Sequence, residues 1–389
     1  ISFRPLVSFL LALLFMLHPI QIEAVSYLSG RGDILYMLFC LSAFLLFLHH
    51  HLSFFRAGVI VFLILIAFFI KENSIAFPFV LVVYAYLFGG SRHRITAIFV
   101  SVLSIGYALF RLLSSSDQGT LSWISAASNY ERILTLPYIL FTYLKLSFFP
   151  YPLHMEYHTV ISTFFNLYLF GLLGILFLLV LGVRVVSNKK LYCFGLIWFF
   201  SCLVPVTQVV LPLASTVREH WACLGLFGLI LAFGCVITTL LRDKDRLLIG
   251  VLLLCIIILG GTTYHRNQFW LSGEVLYKND LSYEPRSFVM LNNLGRVYYH
   301  QERFDLAKSY FLKAVYQSPN YSYDVALNNV GVCYLNEQNW TKAEYYFRQS
   351  IFYGEYDLAY QNLLALLRAQ GRSVEYDRVF KQSNGYKNK

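Results

Sequence analysis

Residues 291–319 read LNNLGRVYYHQERFDLAKSYFLKAVYQSP, and this stretch decides the fold of the C-terminal part of the chain. Its small and apolar residues recur every three or four positions in two blocks, which is the pattern of two amphipathic helices. A polar turn separates the blocks, and Pro319 ends the second one. The pattern starts again at Leu327, so the chain contains an internal repeat.

The repeat has the spacing of a tetratricopeptide repeat (TPR) unit. A small residue lets the two helices of a unit approach closely, and an aromatic ring fills the groove beside it. The signature positions are Leu291, Gly295, Tyr298, Ala307, Phe311, Ala314 and Pro319 in the first unit, and Gly331, Tyr334, Ala343 and Phe347 in the second. We predict a TPR module over 286–389, with two full repeats and a partial third, preceded by a linker helix over 265–285.

Residues 1–264 have the composition of a membrane domain. The chain is 58% hydrophobic and only 13% charged, and the charged share is about half that of soluble proteins. Each apolar run must be helical, because lipid offers no partner for backbone groups. The runs are 34–49, 57–70, 74–90, 95–113, 163–187, 191–211, 222–241 and 247–264, after a first run at 3–18 that is too short to span. The fold class expected is all-α, a polytopic membrane helix bundle followed by an α-solenoid, and we expect further chain before Ile1.

The distribution of Lys and Arg predicts the orientation of this bundle. Most of them lie in short loops between apolar runs or in the polar tail. Short loops rich in Lys and Arg are typical of the cytoplasmic side. The basic residues do not form one dense patch, which argues against a nucleic-acid partner. Every basic loop is cytoplasmic only if the stretch 133–149, with Pro137 and Lys145, is an interfacial or re-entrant helix. An ordinary span remains the alternative. The first reading puts the TPR module outside, and the composition favours a bacterial inner membrane with a periplasmic module over an ER membrane with a lumenal one.

Ionisable residues gather on the predicted outer side, near helix ends. The acids are Glu23, Asp33, Glu72, Glu156 and Glu219, and the basic residues are His18, Arg31, Lys71, Arg218, His220 and Arg266. Ionisable groups at membrane depth are costly, so their repetition on one face suggests function. Sugar transfer from a polyprenyl phosphate needs a carboxylate base and cations for the leaving phosphate. For each cluster the alternative is a set of interfacial residues or helix caps.

Several of these residues stand in short motifs that together resemble a known family. The motifs are HPIQIEAV at 18–25 with GRGD at 30–33, Lys71-Glu72, the segment from Pro150 to Glu156-Tyr157, Arg218-Glu219-His220, and Arg266-Asn267. Their order, and their joining to TPR units, resembles the transmembrane and TPR-containing (TMTC) O-mannosyltransferase family and its bacterial relatives. Glu156 stands where that family usually has Asp, and the family's best-supported catalytic Asp lies upstream of Ile1.

The resemblance implies a GT-C type glycosyltransferase that acts on the lumenal or periplasmic side. Its donor would be a polyprenyl- or dolichyl-phosphate sugar, and its acceptor a hydroxyl of a protein or envelope glycan. The implied catalytic acids are Glu23, Asp33, Glu156 and Glu219; His18, Arg31, Lys71, Arg218, His220 and Arg266 would bind the donor phosphate, and Glu72 would be structural. A divalent cation, if one takes part, would be held by carboxylates such as those of Asp33 and Glu23.

Two other functions remain open from the sequence. A membrane-anchored TPR scaffold without catalysis would bind a protein or peptide ligand in envelope assembly or secretion. A transporter is less favoured, because its ionisable residues would lie near the bilayer midplane beside broken helices, whereas here they cluster at one surface.

Overall fold

The computed structural model describes residues 3–114, 122–163, 166–209 and 213–387. Over these residues the regular structure is helical and contains no β-strand, so the all-α prediction is confirmed. The helices of the apolar part are α1 Pro5–Met16, α2 Ile22–Ser26, α3 Arg31–Phe47, α4 Phe54–Ile70, α5 Phe77–Leu87, α6 Ser91–Ser114, α7 Trp123–Ala126, α8 Asn129–Phe148, α9 Leu167–Val185, α10 Lys189–Leu203, α11 Cys223–Leu240 and α12 Asp245–Phe269. Those that follow are α13 Gly273–Tyr283, α14 Phe288–His300, α15 Phe304–Gln317, α16 Asp324–Asn336, α17 Trp340–Gly354, α18 Asp357–Ala369 and α19 Ser373–Lys387.

The chain forms two compact units. The first contains the described residues up to 268 except 122–126, and the second contains 122–126 together with 269–387. The short helix α7 therefore belongs to the same unit as the repeats, and Trp123 packs against their apolar core.

Six helical segments in the described part are long and apolar enough to cross a bilayer. They are Leu28–Phe47, Ser91–Arg111, Leu167–Val185, Lys189–Val206, Glu219–Leu240 and Asp245–Phe269. The bent pair Pro5–Met16 and Pro19–Ser26 would make a seventh, while Phe54–Ile70 and Glu72–Leu87 are shorter apolar helices. This arrangement is compatible with a multi-pass membrane protein. The predicted interfacial stretch 133–149 lies in α8, which contains Pro137 and is not among the six.

Helices α10 and α11 pack with their backbones in close contact. A Cβ on Gly195 would lie 2.4 Å from the carbonyl oxygen of Gly228, and a Cβ on Gly228 would lie 2.4 Å from that of Gly195. Small residues allow this approach between apolar helices. The indole of Trp198 donates to the carbonyl of Leu224 at 3.0 Å. These contacts fix the start of α11, which directly follows the segment 218–222.

The repeat helices pack in pairs by the contacts that the spacing predicted. A Cβ on Gly295 would lie 2.7 Å from the ring of Phe311, and one on Gly331 would lie 2.6 Å from the ring of Phe347. Ser350 replaces the small alanine of the first unit, and its hydroxyl donates to the carbonyl of Asp324 at 2.8 Å. Helices α18 and α19 form a third pair after α14/α15 and α16/α17.

Candidate active site

The candidate site begins where α2 and α3 meet. Glu23 lies in α2, and Asp33 lies in the first turn of α3. Gly30 stands between them, and a Cβ there would lie 2.9 Å from the carbonyl oxygen of Glu23, so glycine permits the two elements to approach. Lys71 follows the end of α4 and forms an ion pair with Asp33. Residues of two separate motifs therefore come together.

His220 joins the two carboxylates. Its Nδ1 lies 2.9 Å from Oε2 of Glu23, and its backbone N–H donates to the same oxygen at 3.2 Å. Its Nε2 lies 3.8 Å from Oδ2 of Asp33. The imidazole thus bridges Glu23 and Asp33, and a protonated ring would neutralise part of their charge.

Arg218 extends the cluster to the segment that follows α8. Its guanidinium donates to Oε1 of Glu156 at 2.5 Å. Nε2 of His158 lies 3.1 Å from the other oxygen of Glu156. Burial opposes the charge on Arg218, but the carboxylates of Glu156 and Glu23 outweigh it and raise the pKa of the guanidinium. The result is a continuous series of alternating basic and acidic side chains from Lys71 to His158.

Six residues form what we call the charge cluster: Glu23, Asp33, Lys71, Glu156, Arg218 and His220. Its three carboxylates are almost completely buried. Glu23 is 0% exposed, and Asp33 and Glu156 are 1% exposed. The side chains of Lys71 and Arg218 keep 22% and 16% of their surface accessible. In the described part of the chain, Oδ1 of Asp33 and Oε1 of Glu23 accept no hydrogen bond. Buried acceptors of this kind call for an explanation, and a ligand hydroxyl is one.

Two further predicted residues lie near Tyr157. Burial raises the pKa of the Tyr157 phenol well above its usual range; the Glu219 carboxylate adds to this effect and the Arg266 guanidinium opposes it. Both charges therefore lie close to this ring, and both side chains are buried. Tyr157 also pairs with Val217 through an isolated antiparallel bridge, which holds the Glu156 segment beside the Arg218 segment.

Three predicted residues lie apart from the charge cluster. His18 caps the segment Pro19–Gln21: its Nδ1 accepts from the N–H of Ile20 at 3.3 Å, and its Nε2 lies 3.1 Å from the carbonyl oxygen of Ser147. Arg31 is exposed at the start of α3. Glu72 is exposed and forms an ion pair with Arg111.

Sequence reasoning missed His158, which contacts Glu156. The signal was present as the spacing Glu156-Tyr157-His158, in which alternate residues of an extended segment point to the same side.

Over the described residues, no group of three or more His, Cys, Asp or Glu side chains is arranged to hold a metal ion.

An apolar groove of about 580 Å³ lies between α1, α8, α11 and α12. His18, Ser147 and Tyr151 line its polar end. The remaining wall is formed by apolar side chains of these helices, including Leu14, Leu226, Leu229, Phe233, Ile258 and Leu259. The groove is suited to a hydrocarbon chain.

The first helices of the repeat pairs carry a row of asparagines. Nδ2 of Asn362 donates to Oδ1 of Asn328 at 2.8 Å, and Nδ2 of Asn329 donates to Oδ1 of Asn292 at 2.8 Å. Nδ2 of Asn328 lies 3.4 Å from Oδ1 of Asn329, so the row is continuous from α14 to α18. A small pocket of about 160 Å³ beside it is lined by Arg296, Tyr299 and Asn329, among others.

A tetratricopeptide-repeat family model matches residues 286–351. The C-terminal helix pairs are TPR-like. Over 327 residues the chain is 22% identical to the Caenorhabditis elegans protein O-mannosyl-transferase F38B6.6. The matched region covers 81% of this chain and 46% of that protein. The chain thus spans about half the length of the curated relative that it matches. The relative is a nematode protein, so it gives no support to the bacterial origin that the composition favoured.

Proposed function

We propose that this protein is a membrane glycosyltransferase that moves a sugar, mannose or another hexose, from a polyprenyl- or dolichyl-phosphate donor to a hydroxyl. The acceptor would belong to a protein or an envelope glycan. The observation that carries the proposal is the charge cluster, in which buried carboxylates with spare acceptor oxygens stand beside part-exposed cations. The likeness to a protein named as an O-mannosyl-transferase supports it.

In the proposed reaction, Asp33 is the base and Arg218 and Lys71 hold the phosphate. The acceptor hydroxyl gives its proton to the free Oδ1 of Asp33 while its oxygen bonds to the anomeric carbon. The bond from that carbon to the phosphate oxygen breaks, and its electron pair leaves with the polyprenyl phosphate. Attack opposite the leaving group inverts the anomeric centre. Cations positioned where charge develops stabilise such a transition state.

Glu23, His220 and Glu156 act as positioning residues in this scheme. Glu23 holds the imidazole of His220 against Asp33, and Glu156 fixes the guanidinium of Arg218. The apolar groove that begins at His18 supports the donor assignment, because a polyprenyl chain requires a long apolar surface at membrane depth.

We further propose that the charge cluster and the TPR module lie on the same, extracytoplasmic side. The distribution of Lys and Arg supports this proposal, because every basic loop is cytoplasmic if the stretch 133–149 does not span the membrane and the site and the repeats are extracytoplasmic. Either the ER lumen or the bacterial periplasm would satisfy it.

The scaffold function remains as the second candidate, and the asparagine row supports it. Each Asn amide carries a donor and an acceptor, which matches the hydrogen-bonding pattern of an extended peptide backbone. The repeats would in that case bind a polypeptide without any transfer chemistry.

The deciding experiment uses the purified full-length protein in lipid nanodiscs with dolichyl-phosphate mannose and, separately, undecaprenyl-phosphate mannose. Release of the polyprenyl phosphate is measured for the wild type, Asp33→Asn and Glu72→Gln. Both substitutions remove one acid, but Glu72 is exposed and outside the charge cluster. Release that is lost in Asp33→Asn and kept in Glu72→Gln supports the enzyme. No release from wild type with either donor, together with peptide binding by the repeats, favours the scaffold.

A further inference from the structure

A second groove, of about 450 Å³, lies between the N-terminal halves of α4 and α6. Its walls are apolar and include Ala57, Val61, Ile95 and Phe99. Gly58 forms part of the wall, and a Cβ there would meet no atom within 4 Å. The missing side chain therefore leaves room along α4 for another molecule. This groove is at the other end of α4 from Lys71 and does not belong to the candidate active site.

The mouth of this groove is basic, because Arg92 lines it and is exposed. Arg56 and Arg94 are close in sequence but contact residues outside the lining: Arg56 donates to the carbonyl of His51 at 3.1 Å, and the Arg94 guanidinium lies 5.3 Å from the ring centroid of Tyr86. Arg92 is held at the mouth, because one of its nitrogens donates to the carbonyl of Leu52 at 3.1 Å and its guanidinium lies 5.4 Å from the ring centroid of Phe54. The sequence on either side, 47–58 and 88–96, contains no acidic residue.

We propose that this groove binds an anionic glycerophospholipid, with an acyl chain along Gly58 and the headgroup phosphate against Arg92. The proposal needs only that α4 and α6 lie in a bilayer, and it is independent of glycosyl transfer. It assigns a ligand of stated chemistry to a surface that has no role in the active-site argument.

Charge and shape support the same occupant. A guanidinium presents several fixed N–H groups to a phosphate, and the two contacts already made by Arg92 limit its motion without using all of them. The basic loops are the ones expected on the cytoplasmic side, where anionic lipids attract Lys and Arg. A zwitterionic lipid would fill the groove but would gain less from Arg92.

The test is native mass spectrometry of the full protein from nanodiscs that contain equal amounts of phosphatidylglycerol and phosphatidylcholine. Four proteins are compared: the wild type, Arg92→Gln, Gly58→Leu and the control Gly106→Leu. Gly106 is a matched control, since it lies in α6 and a Cβ there also meets no atom within 4 Å. Arg92 is exposed, so Arg92→Gln keeps the test decisive if Gly58→Leu fails to fold.

We expect the wild type and Gly106→Leu to retain phosphatidylglycerol in preference to phosphatidylcholine. Arg92→Gln should reduce that preference about fivefold, the typical effect of one basic residue near an anionic surface. Gly58→Leu should reduce retention of both lipids. Equal retention of the two lipids by the wild type, or unchanged retention in Arg92→Gln, would overturn the proposal. Displacement of phosphatidylglycerol by equimolar polyprenyl phosphate would also overturn it, by assigning the groove to the donor lipid.

Discussion

Two sets of ion pairs in this molecule use the same chemistry in opposite surroundings. In the repeats, Arg372 contacts Glu375 at 2.6 Å and Arg348 contacts Glu344 at 2.7 Å, with side chains that are 17–43% exposed. In the charge cluster, Asp33 and Glu156 pair with Lys71 and Arg218 while their own side chains are 0% exposed. The repeat pairs keep part of their contact with water, whereas the cluster carboxylates have lost theirs.

The difference in burial separates a surface feature from a site. Exposed ion pairs cost little to form and contribute little to stability. Buried pairs lose solvation that their mutual attraction often fails to restore, and apolar residues in their place are often as stable. A fold that needed only stability would have no use for six ionisable groups at this position. We infer that the charge cluster is kept for its chemistry.

Among the variants that compare the two sets of ion pairs, Arg218→Gln should have the largest effect. We expect kcat to fall about 10²–10³-fold, because a cation that stabilises developing charge is lost. Unfolding should also become easier, because the buried Glu156 loses its ion pair with Arg218 and keeps only its weaker contacts, such as that with His158. The double variant Glu156→Gln/Arg218→Gln should recover stability without activity. Activity assays and thermal unfolding of both variants check this, and recovery of activity in the double variant would contradict the phosphate role. Arg111→Gln, which removes an exposed cation, is the control.

The next effect concerns the close contact between α10 and α11, the helix that follows the Arg218 segment. Gly228→Leu should lower the free energy of unfolding by about 1–3 kcal/mol or more, since its side chain would overlap Gly195 and Trp198. Gly250→Leu is the matched control, because a Cβ there meets no atom within 4 Å. Thermal unfolding in nanodiscs gives the comparison. Equal melting temperatures for the two variants would show that the close α10/α11 contact is not needed.

A smaller effect is expected in the asparagine row. Asn362→Ala should lower the local unfolding free energy of α18 by about 1 kcal/mol, since it removes a hydrogen bond that links two repeats. Gln361→Ala is the control, because Gln361 bonds only within its own helix to Asp357 among its described hydrogen bonds. Hydrogen exchange of peptides from α16 and α18 measures both. Unchanged protection in Asn362→Ala would remove the row from the account of repeat packing.

The smallest effect concerns the part-exposed ion pairs of the repeats. Burial opposes ionisation of Glu344, but hydrogen bonds from Arg372 and Arg348 outweigh it and hold its pKa below the usual range. A lowered pKa in the folded state stabilises the protein above the unfolded pKa, and this contribution disappears as pH falls through the folded value. Glu344→Gln should therefore lower the free energy of unfolding of the repeats slightly at neutral pH and not at all in acid, and added salt should reduce the difference. Hydrogen exchange of peptides from α17 measures it across the pH range. A difference that grows as pH falls would contradict the assignment.

The repeats could be predicted from sequence because their contacts are local. Gly295 and Phe311 stand at fixed spacing in one helix pair, and the structure joins them as expected. The side of the membrane on which the charge cluster lies stays a prediction, made from the distribution of Lys and Arg among the loops. The direction of each side chain was not predictable: Arg31 and Asp33 are neighbours in the motif, yet they point to nearly opposite sides of α3. One is therefore exposed and the other buried.

The measurement that tests the account most directly is Asp33→Asn in the full-length protein, with transfer rate and melting temperature determined on the same sample. The amide has the same shape but cannot take the proton, so we expect transfer to fall about 10²–10⁴-fold. The melting temperature should change little, because the amide removes a buried charge while Lys71, whose side chain is 22% exposed, keeps access to water when it loses its partner. Transfer that continues at the wild-type rate, or a loss of activity that only follows a loss of folding, would contradict the claim that this cluster is kept for chemistry.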